Sequence, residues 1–235
     1  IQKKKLSKNK IIWTSKLKQI EKIPSIFIAN EFFDAMPIRQ FVKRGNLWFE
    51  KYVNLQNKKK PFFFEKKINI NDIEKKIGLN ISKNQNFIEY SPIGINYLKE
   101  LSKIINENSG GLLLIDYGYT EKKMKNTLKG IKNHKFAKIL SNIGNADITH
   151  NISFKLFKDF IKNFNNLDIN LTTQRNFLIK TGIKERAEIL SRNLSFSKKA
   201  DIYYRIKRLI DEREMGSLFK VMLIKNKKNK FNLGF

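Results

Sequence analysis

The sequence predicts an α/β fold with an antiparallel β insertion and helical additions, on three observations. Two short apolar runs, Ile26-Phe27-Ile28-Ala29 and Leu112-Leu113-Leu114-Ile115, are bounded by polar residues in the manner of buried parallel strands. Each stops at residues that carry chemistry, Asn30-Glu31 after the first and Asp116-Tyr117 after the second. A helical pattern leads straight into the second run, as in sheets that bind ligands at the carboxyl ends of their strands.

The elements follow in order. Residues 1–23 are polar and basic, and the opening IQKKKLSKNK reads like the tail of a helix without a start signal. The first residue is Ile, so the sequence reads as part of a longer protein. The first strand comes next, and Pro37 then pushes Met36 away from helical geometry. Between 38 and 70, IRQFVKRG, NLWFEKYVNL and PFFFEKKI are strand-like, with a hairpin signal at Gly45-Asn46, and predict an insertion of two or three antiparallel strands. Residues 71–88 predict one short helix and a loop.

Ser91-Pro92 then starts a helix, since Ser caps well and Pro is tolerated in the first turn. Its apolar face is Ile95, Leu98, Leu101, Ile104 and Ile105, and Asn108-Ser109-Gly110-Gly111 ends it. The second strand stops at Asp116-Tyr117-Gly118, where Gly118 suits a turn of positive φ. Residues 119–151 form a polar stretch too long for an ordinary connection. Ser153 caps a helix to about Phe164, and Leu167–Thr172 alternates as a strand. Residues 174–212 read as helix in two or three pieces, broken near Gly182 and Asn193. Gly216–Lys225 is the last strand, before a basic tail.

Composition excludes several function classes. The 235 residues, 41% apolar, suit one elaborated domain. No window approaches the ~18 uninterrupted apolar residues of a membrane span, and no charged-then-apolar leader pattern opens the chain. The lack of cysteine excludes disulfides, thiolate zinc sites, iron–sulfur clusters and cysteine nucleophiles. His134 and His150 are the only imidazoles, too few for a multi-histidine metal site. The formal charge is +27, but Arg stands only at 39, 44, 175, 186, 192, 205, 208 and 213. A lysine excess alongside abundant Asn, Ile and Phe reads as coding drift towards A and T on a solvated surface, without a specific nucleic-acid partner.

Chemistry concentrates at the strand ends. Asn30-Glu31-Phe32-Phe33-Asp34 sets an amide and two carboxylates directly after a buried strand. They can hold a cationic substrate, bind a ribose or act as a base; alternatively Asn30 caps a turn and the two acids are solvated. Asp116-Tyr117-Gly118 is either a turn or a second part of the site. Asp147-Ile148-Thr149 lies in the long loop, and His150 beside it reads as surface. Gly110-Gly111 precedes a strand, so it is no phosphate cradle, and no G-x-G loop follows any strand.

The segment Asn30-Glu31-Phe32-Phe33-Asp34-Ala35-Met36-Pro37-Ile38-Arg39-Gln40-Phe41 closely resembles the NEFFDALPVRQF segment of the MidA-like family, class I S-adenosylmethionine (SAM) dependent methyltransferases. The resemblance continues through Glu89-Tyr90-Ser91-Pro92, Ile115-Asp116-Tyr117-Gly118, Thr127-Leu128 and Ala146-Asp147-Ile148-Thr149. It runs on through Gln174, Phe177-Leu178, Gly182-Ile183 and Arg186 to Glu214-Met215-Gly216-Ser217-Leu218-Phe219-Lys220-Val221. Where the family reads D-x-T-A-H-V-D-F, its His falls on Asn151 and its second Asp on Ser153, with His150 one place early.

The resemblance implies a Rossmann-like class I methyltransferase sheet, of which this chain is the second half, with residues 1–235 a partial domain and 38–70 a β insertion within it. The family's glycine-rich SAM loop and ribose-binding acid lie upstream of what matches Ile1-Gln2. The implied cofactor is SAM and the implied reaction is methylation of arginine on a protein, in mitochondrial members a complex I subunit. The implied setting is bacterial cytoplasm or mitochondrial matrix. Glu31 is implied as the main guanidinium clamp and Asp34 as its partner, both catalytic. Asn30 would lie at the cofactor's methionine end, and Asp116, Tyr117 and Thr149 would line the substrate site. A non-catalytic binding or assembly protein and a basic nucleic-acid binder are the rival readings. A sheet lacking its first strands would expose a raw edge and leave the chain aggregation-prone by itself.

Overall fold

A computed structural model describes residues 5–56, 60–133, 135–141 and 143–235, so His134 lies outside the described residues. In chain order the elements are β1 (Ser25–Asn30), β2 (Arg39–Arg44), β3 (Leu47–Gln56), β4 (Lys60–Ile68), α1 (Ile70–Ile77), β5 (Phe87–Tyr90), α2 (Pro92–Asn108), β6 (Gly110–Tyr119), β7 (Lys129–Lys132), β8 (Lys135–Ala137), β9 (Asp147–Thr149), β10 (Ile152–Ser153), α3 (Phe154–Ile161), β11 (Leu167–Thr173), α4 (Gln174–Lys180), α5 (Ile183–Ser191), α6 (Phe196–Ile210), α7 (Met215–Leu218) and β12 (Phe219–Asn226).

The main sheet has the order β1-β6-β12-β11. β1 and β6 are parallel, Ser25 opposite Gly110 and Asn30 opposite Ile115, so the carboxyl end of β1 lies beside Ile115 within β6. β12 is antiparallel to β6, and β11 antiparallel to β12. α2 provides the crossover into β6. Ser91 caps it by accepting from the Gly94 amide at 2.9 Å, with Pro92 in the first turn. Ile95, Leu98, Leu101 and Ile105 are buried among Leu112, Leu114, Met222 and Ile224 of the sheet. α3, capped by the Ser153 hydroxyl on the Leu156 amide at 3.3 Å, adds Phe157, Phe160 and Ile161. Burying each large apolar side chain contributes ~2 kcal/mol, so this face holds the sheet. α4 to α7 pack together beside β11 and β12, and Val221 on β12 is fully buried.

The first strand is parallel as the sequence predicts, but only half covered. Ile26 is 83% and Ile28 71% exposed, while Ala29 on the other face is buried. Among the described residues β1 pairs with β6 alone, which leaves one edge and one face of it bare.

The insertion is antiparallel, in the order β4-β3-β2-β5. It contains β2, β3 and β4 as predicted and takes in Phe87–Tyr90 as well, where the sequence suggested only the end of a loop. Four residues are too few to show alternation. β5 ties the insertion to the main sheet, because it runs directly into α2. Phe41 and Ile88, register mates on β2 and β5, are both fully buried. Arg39 on β2 grips Glu50 on β3 with two bonds, Nε to Oε1 at 2.5 Å and Nη2 to Oε2 at 2.6 Å. Burial pushes Glu50 up, but the hydrogen bonds from Arg39 and Tyr52 outweigh it and hold Glu50 below its usual range.

Further expectations are corrected. β6 does not stop at Asp116 but runs on to Tyr119, because β10 pairs with Gly118 and Tyr119. Gly118 has no positive φ. Its lack of a side chain is needed because a Cβ there would stand 2.2 Å from the Ile152 carbonyl oxygen. The stretch 119–151 is not all loop, since β8-β7-β9 form a small antiparallel sheet within it. The last strand begins at Phe219, and Gly216 sits in the short helix α7, where a Cβ would meet the Ile210 carbonyl oxygen at 2.4 Å. In the opening segment Lys5 is helical and a turn follows it, as the reading of a helix tail expects, and Leu17–Gln19 further on is a single 3-10 turn.

Candidate functional site

The parallel pairing of β1 with β6 sets Asn30, Glu31 and Asp34 beside Asp116 and Tyr117. Glu31 donates its amide to the Ile115 carbonyl at 2.9 Å, one step past the strand. It then turns with φ +45°, a left-handed conformation that costs a non-glycine residue about 1 kcal/mol. The chain reverses there, and Phe33 is driven into the core, 1% exposed, edge-on to Phe157 at 5.2 Å.

Asp116 lies under this turn, fully buried. Its Oδ2 accepts the Phe33 amide at 3.1 Å and the Asp34 amide at 3.4 Å, and its Oδ1 accepts the Tyr117 amide at 3.0 Å. Asp34 is 6% exposed, and its Oδ2 accepts hydrogen bonds from the Tyr117 hydroxyl and from Thr149 Oγ1, the latter at 3.3 Å. Tyr117 and Thr149 hydroxyls are 2.8 Å apart. The other Asp34 oxygen, Oδ1, is buried and has no partner.

Electrostatics follow from this crowding. Burial, and next the neighbouring Asp34 carboxylate, push Asp116 up to about 7, against the pull of its three amide donors. Burial and the bond to Asp34 push the Tyr117 hydroxyl well above its ordinary range. Lys129 Nζ lies 5.9 Å from the Tyr117 ring centre. Among the described residues, no Lys or Arg forms an ion pair with Glu31, Asp34 or Asp116.

The structure thus brings Asp34, Asp116, Tyr117 and Thr149 into one hydrogen-bonded cluster. Asn30 and Glu31 stand at its rim with exposed side chains outside that network. The reading of Asp34 as a solvated acid is overturned, and that of Glu31 is not. His150 is not a surface residue either. It is 6% exposed, and its Nε2 is buried without a partner. A 710 Å³ groove lined by Leu79, Ile81, Lys83, Lys122, Met124 and Lys155 includes none of the six predicted residues in its walls.

A second buried cluster escaped the sequence reading. Glu89 on β5 accepts from Gln40 Nε2 at 2.6 Å, and from the amide and hydroxyl of Thr127. The Thr127 hydroxyl also accepts the Asn151 amide at 2.8 Å. This network pins the loop before β7, and the loop before β10, to the insertion. A carboxylate inside the apolar stretch Phe87-Ile88-Glu89-Tyr90 was the available signal, since a buried acid needs partners.

Comparisons with known proteins agree on one family. Residues 1–172 match the family described as "Putative S-adenosyl-L-methionine-dependent methyltransferase". The chain is 27% identical over 218 residues to protein arginine methyltransferase NDUFAF7, mitochondrial, of Danio rerio, covering 92% of this chain and 51% of that protein. It is 32% identical over 174 residues to the Caenorhabditis elegans homolog of that protein, covering 72% and 41%. The chain therefore spans about half the length of the curated relatives it matches.

Two crystal structures from Burkholderia thailandensis share the fold. A native structure superposes with a TM-score of 0.80 at 19% identity, over 99% of this chain and 64% of the other. One bound to S-adenosyl-homocysteine superposes with a TM-score of 0.76 at 20% identity, over 95% and 58%. The fold is that of the Rossmann-like class I methyltransferases, and the chain belongs to the family of S-adenosyl-L-methionine-dependent methyltransferases.

Proposed function

We propose that this chain carries the substrate-facing part of a methyltransferase site that methylates arginine on a protein. The observation that carries this reading is electrostatic. On a chain with 48 Lys and Arg against 21 Asp and Glu, three carboxylates gather where the end of β1 meets β6, and among the described residues none of them has an ion-pairing cation. Such a site favours a cationic ligand, and a guanidinium can bond two carboxylates at once.

The residues present fit the reacting end of SAM. Asp34 Oδ1 is a buried acceptor without a partner, beside the exposed Asn30 and Glu31. When bound, SAM supplies an electrophilic methyl group at that end. Asn30 would hold the methionine end. Glu31 would clamp the guanidinium from the rim, with freedom to move onto it. Asp34, fixed by Tyr117 and Thr149, would take the second side and receive the proton that a guanidinium nitrogen must lose before it can attack.

The hairpin of β3 and β4 supports a protein as substrate, rather than a free amino acid. Val53, Leu55, Phe62 and Phe63 are 41–53% exposed on it. Such a projecting apolar ribbon suits contact with another protein. The family resemblance implies a respiratory complex I subunit, and a setting in the mitochondrial matrix or bacterial cytoplasm. No helix among the described residues is long and apolar enough to cross a membrane.

The test is to supply methyl-tritiated SAM and a protein acceptor to the protein that carries this chain, then hydrolyse the product to amino acids. Label in methylarginine is expected. Label confined to methyl-lysine or to base-labile carboxyl esters would overturn the reading.

A further inference from the structure

The relation of Asp116 to the turn after β1 assigns this acid a role other than binding. Asp116 stands on β6 one residue beyond Ile115, the register mate of Asn30. It is fully buried, so it offers no surface to a substrate. Both its oxygens are taken by main-chain donors, the amides of Phe33, Asp34 and Tyr117. Two of those amides belong to the reversal that begins at Glu31, whose φ of +45° is held without glycine.

We propose that Asp116 is the positioning residue of the site: it holds the turn that presents Glu31 and Asp34, through the amides of Phe33 and Asp34, and never touches substrate. The turn of a strained residue needs an outside acceptor, and an anionic one bonds amides more strongly than a neutral one. The groups around it leave the carboxylate without a counter-charge. From the turn it faces Asp34, and from β6 the Tyr117 hydroxyl. On β12 its register mate is Lys220, whose ammonium bonds the Ser217 carbonyl instead. From β9 comes only the uncharged Thr149, which bonds Asp34 and not Asp116. The carboxylate is therefore held by amides alone, and protonating it removes acceptor strength from the turn.

The role in presenting substrate-binding groups rests on the proposed methylation, but the hold on the turn does not. The first experiment reads the turn directly, by amide NMR of the protein that carries this chain from pH 5 to 8.5. The Phe33, Asp34 and Tyr117 amide protons are expected to move downfield together as pH rises, on one curve centred near 7, where burial and Asp34 place Asp116. Asp116→Asn is expected to abolish that curve, and Asp34→Asn to move its midpoint down. Amides of Phe33 and Asp34 that ignore pH in the parent chain, or still titrate in Asp116→Asn, would overturn the proposal.

The second readout is methyl transfer in the protein that carries this chain. Asp116→Asn is expected to lower turnover roughly 10- to 100-fold, with SAM affinity kept and the acid limb near pH 7 gone. An unchanged turnover would also overturn the positioning role. Absence of transfer in the parent protein would instead overturn the methylation reading, and the amide titration would still decide the hold on the turn.

Discussion

Glu31 is held in a left-handed conformation that glycine adopts without cost, yet a carboxylate stands there. Strain of this kind is retained where a side chain has work to do. Replacing Glu31 by Gly should leave stability unchanged or raise it by up to about 1 kcal/mol, while removing methyl transfer; denaturant melts and activity measured side by side check this. Asp116 makes the opposite kind of prediction. Its folded pKa, about 7, is raised above the 3.8 of the free side chain, so its contribution favours the fold at low pH and is lost as pH rises towards 7. The stability of Asp116→Asn relative to the parent should therefore improve by roughly 2–3 kcal/mol between pH 5 and 7 and then level off. A gap that stays constant, or runs the other way, would contradict the burial of an uncompensated acid. The motif from Asn30 to Asp34 was legible because acids directly after an apolar run are unusual. The separate fates of its two acids were not, since a tertiary bond to Asp116, eighty-odd residues on, decides which one is buried.

At the scale of elements, the parallel pair β1 and β6 sets the end of β1 beside Asp116 and Tyr117, and the helix between them could be read from Ser91-Pro92 and its apolar face. The β5 strand could not, because it is four residues long and opens on a polar loop. Nor could the sheet of β7, β8 and β9, whose strands of three or four residues carry no apolar alternation but bring Thr149 to Asp34. The β3–β4 hairpin is rooted by the Arg39–Glu50 pair, and its outer half carries exposed apolar side chains. Val53→Ser with Phe63→Ser should leave the melting temperature within about 2 °C, since surface changes cost little. The same variant should weaken methylation of a folded protein acceptor while sparing a short arginine peptide. Equal loss on both acceptors would mean that the hairpin shapes the site rather than the docking surface.

For the whole molecule, two features set behaviour in solution. The charge of +27 keeps molecules apart but repels within the fold, an effect that salt screens. The bare edge and face of β1, with Ile26 and Ile28 exposed, act the other way as a template for association. This chain by itself is expected to associate as its concentration rises, more so at high salt, as seen by light scattering. A cooperative thermal melt of a stable monomer across that range would contradict this. The α/β class could be read from two apolar runs and the helix that joins them. The half-bare state of the first run could not, because Ile26 and Ile28 look the same in sequence whether or not a neighbour covers them.

We assign Glu31 and Asp34, both on the turn that follows β1 beside the parallel strand β6, to the substrate rather than to the cofactor. The most direct measurement is single-turnover methyl transfer by Glu31→Gln and Asp34→Asn in the protein that carries this chain, with SAM affinity measured by calorimetry on the same preparations. Transfer should fall about 100-fold or more in each, with SAM affinity within about threefold of the parent, a difference under 1 kcal/mol. Parallel loss of transfer and SAM affinity, or transfer at the parent rate, would contradict the account.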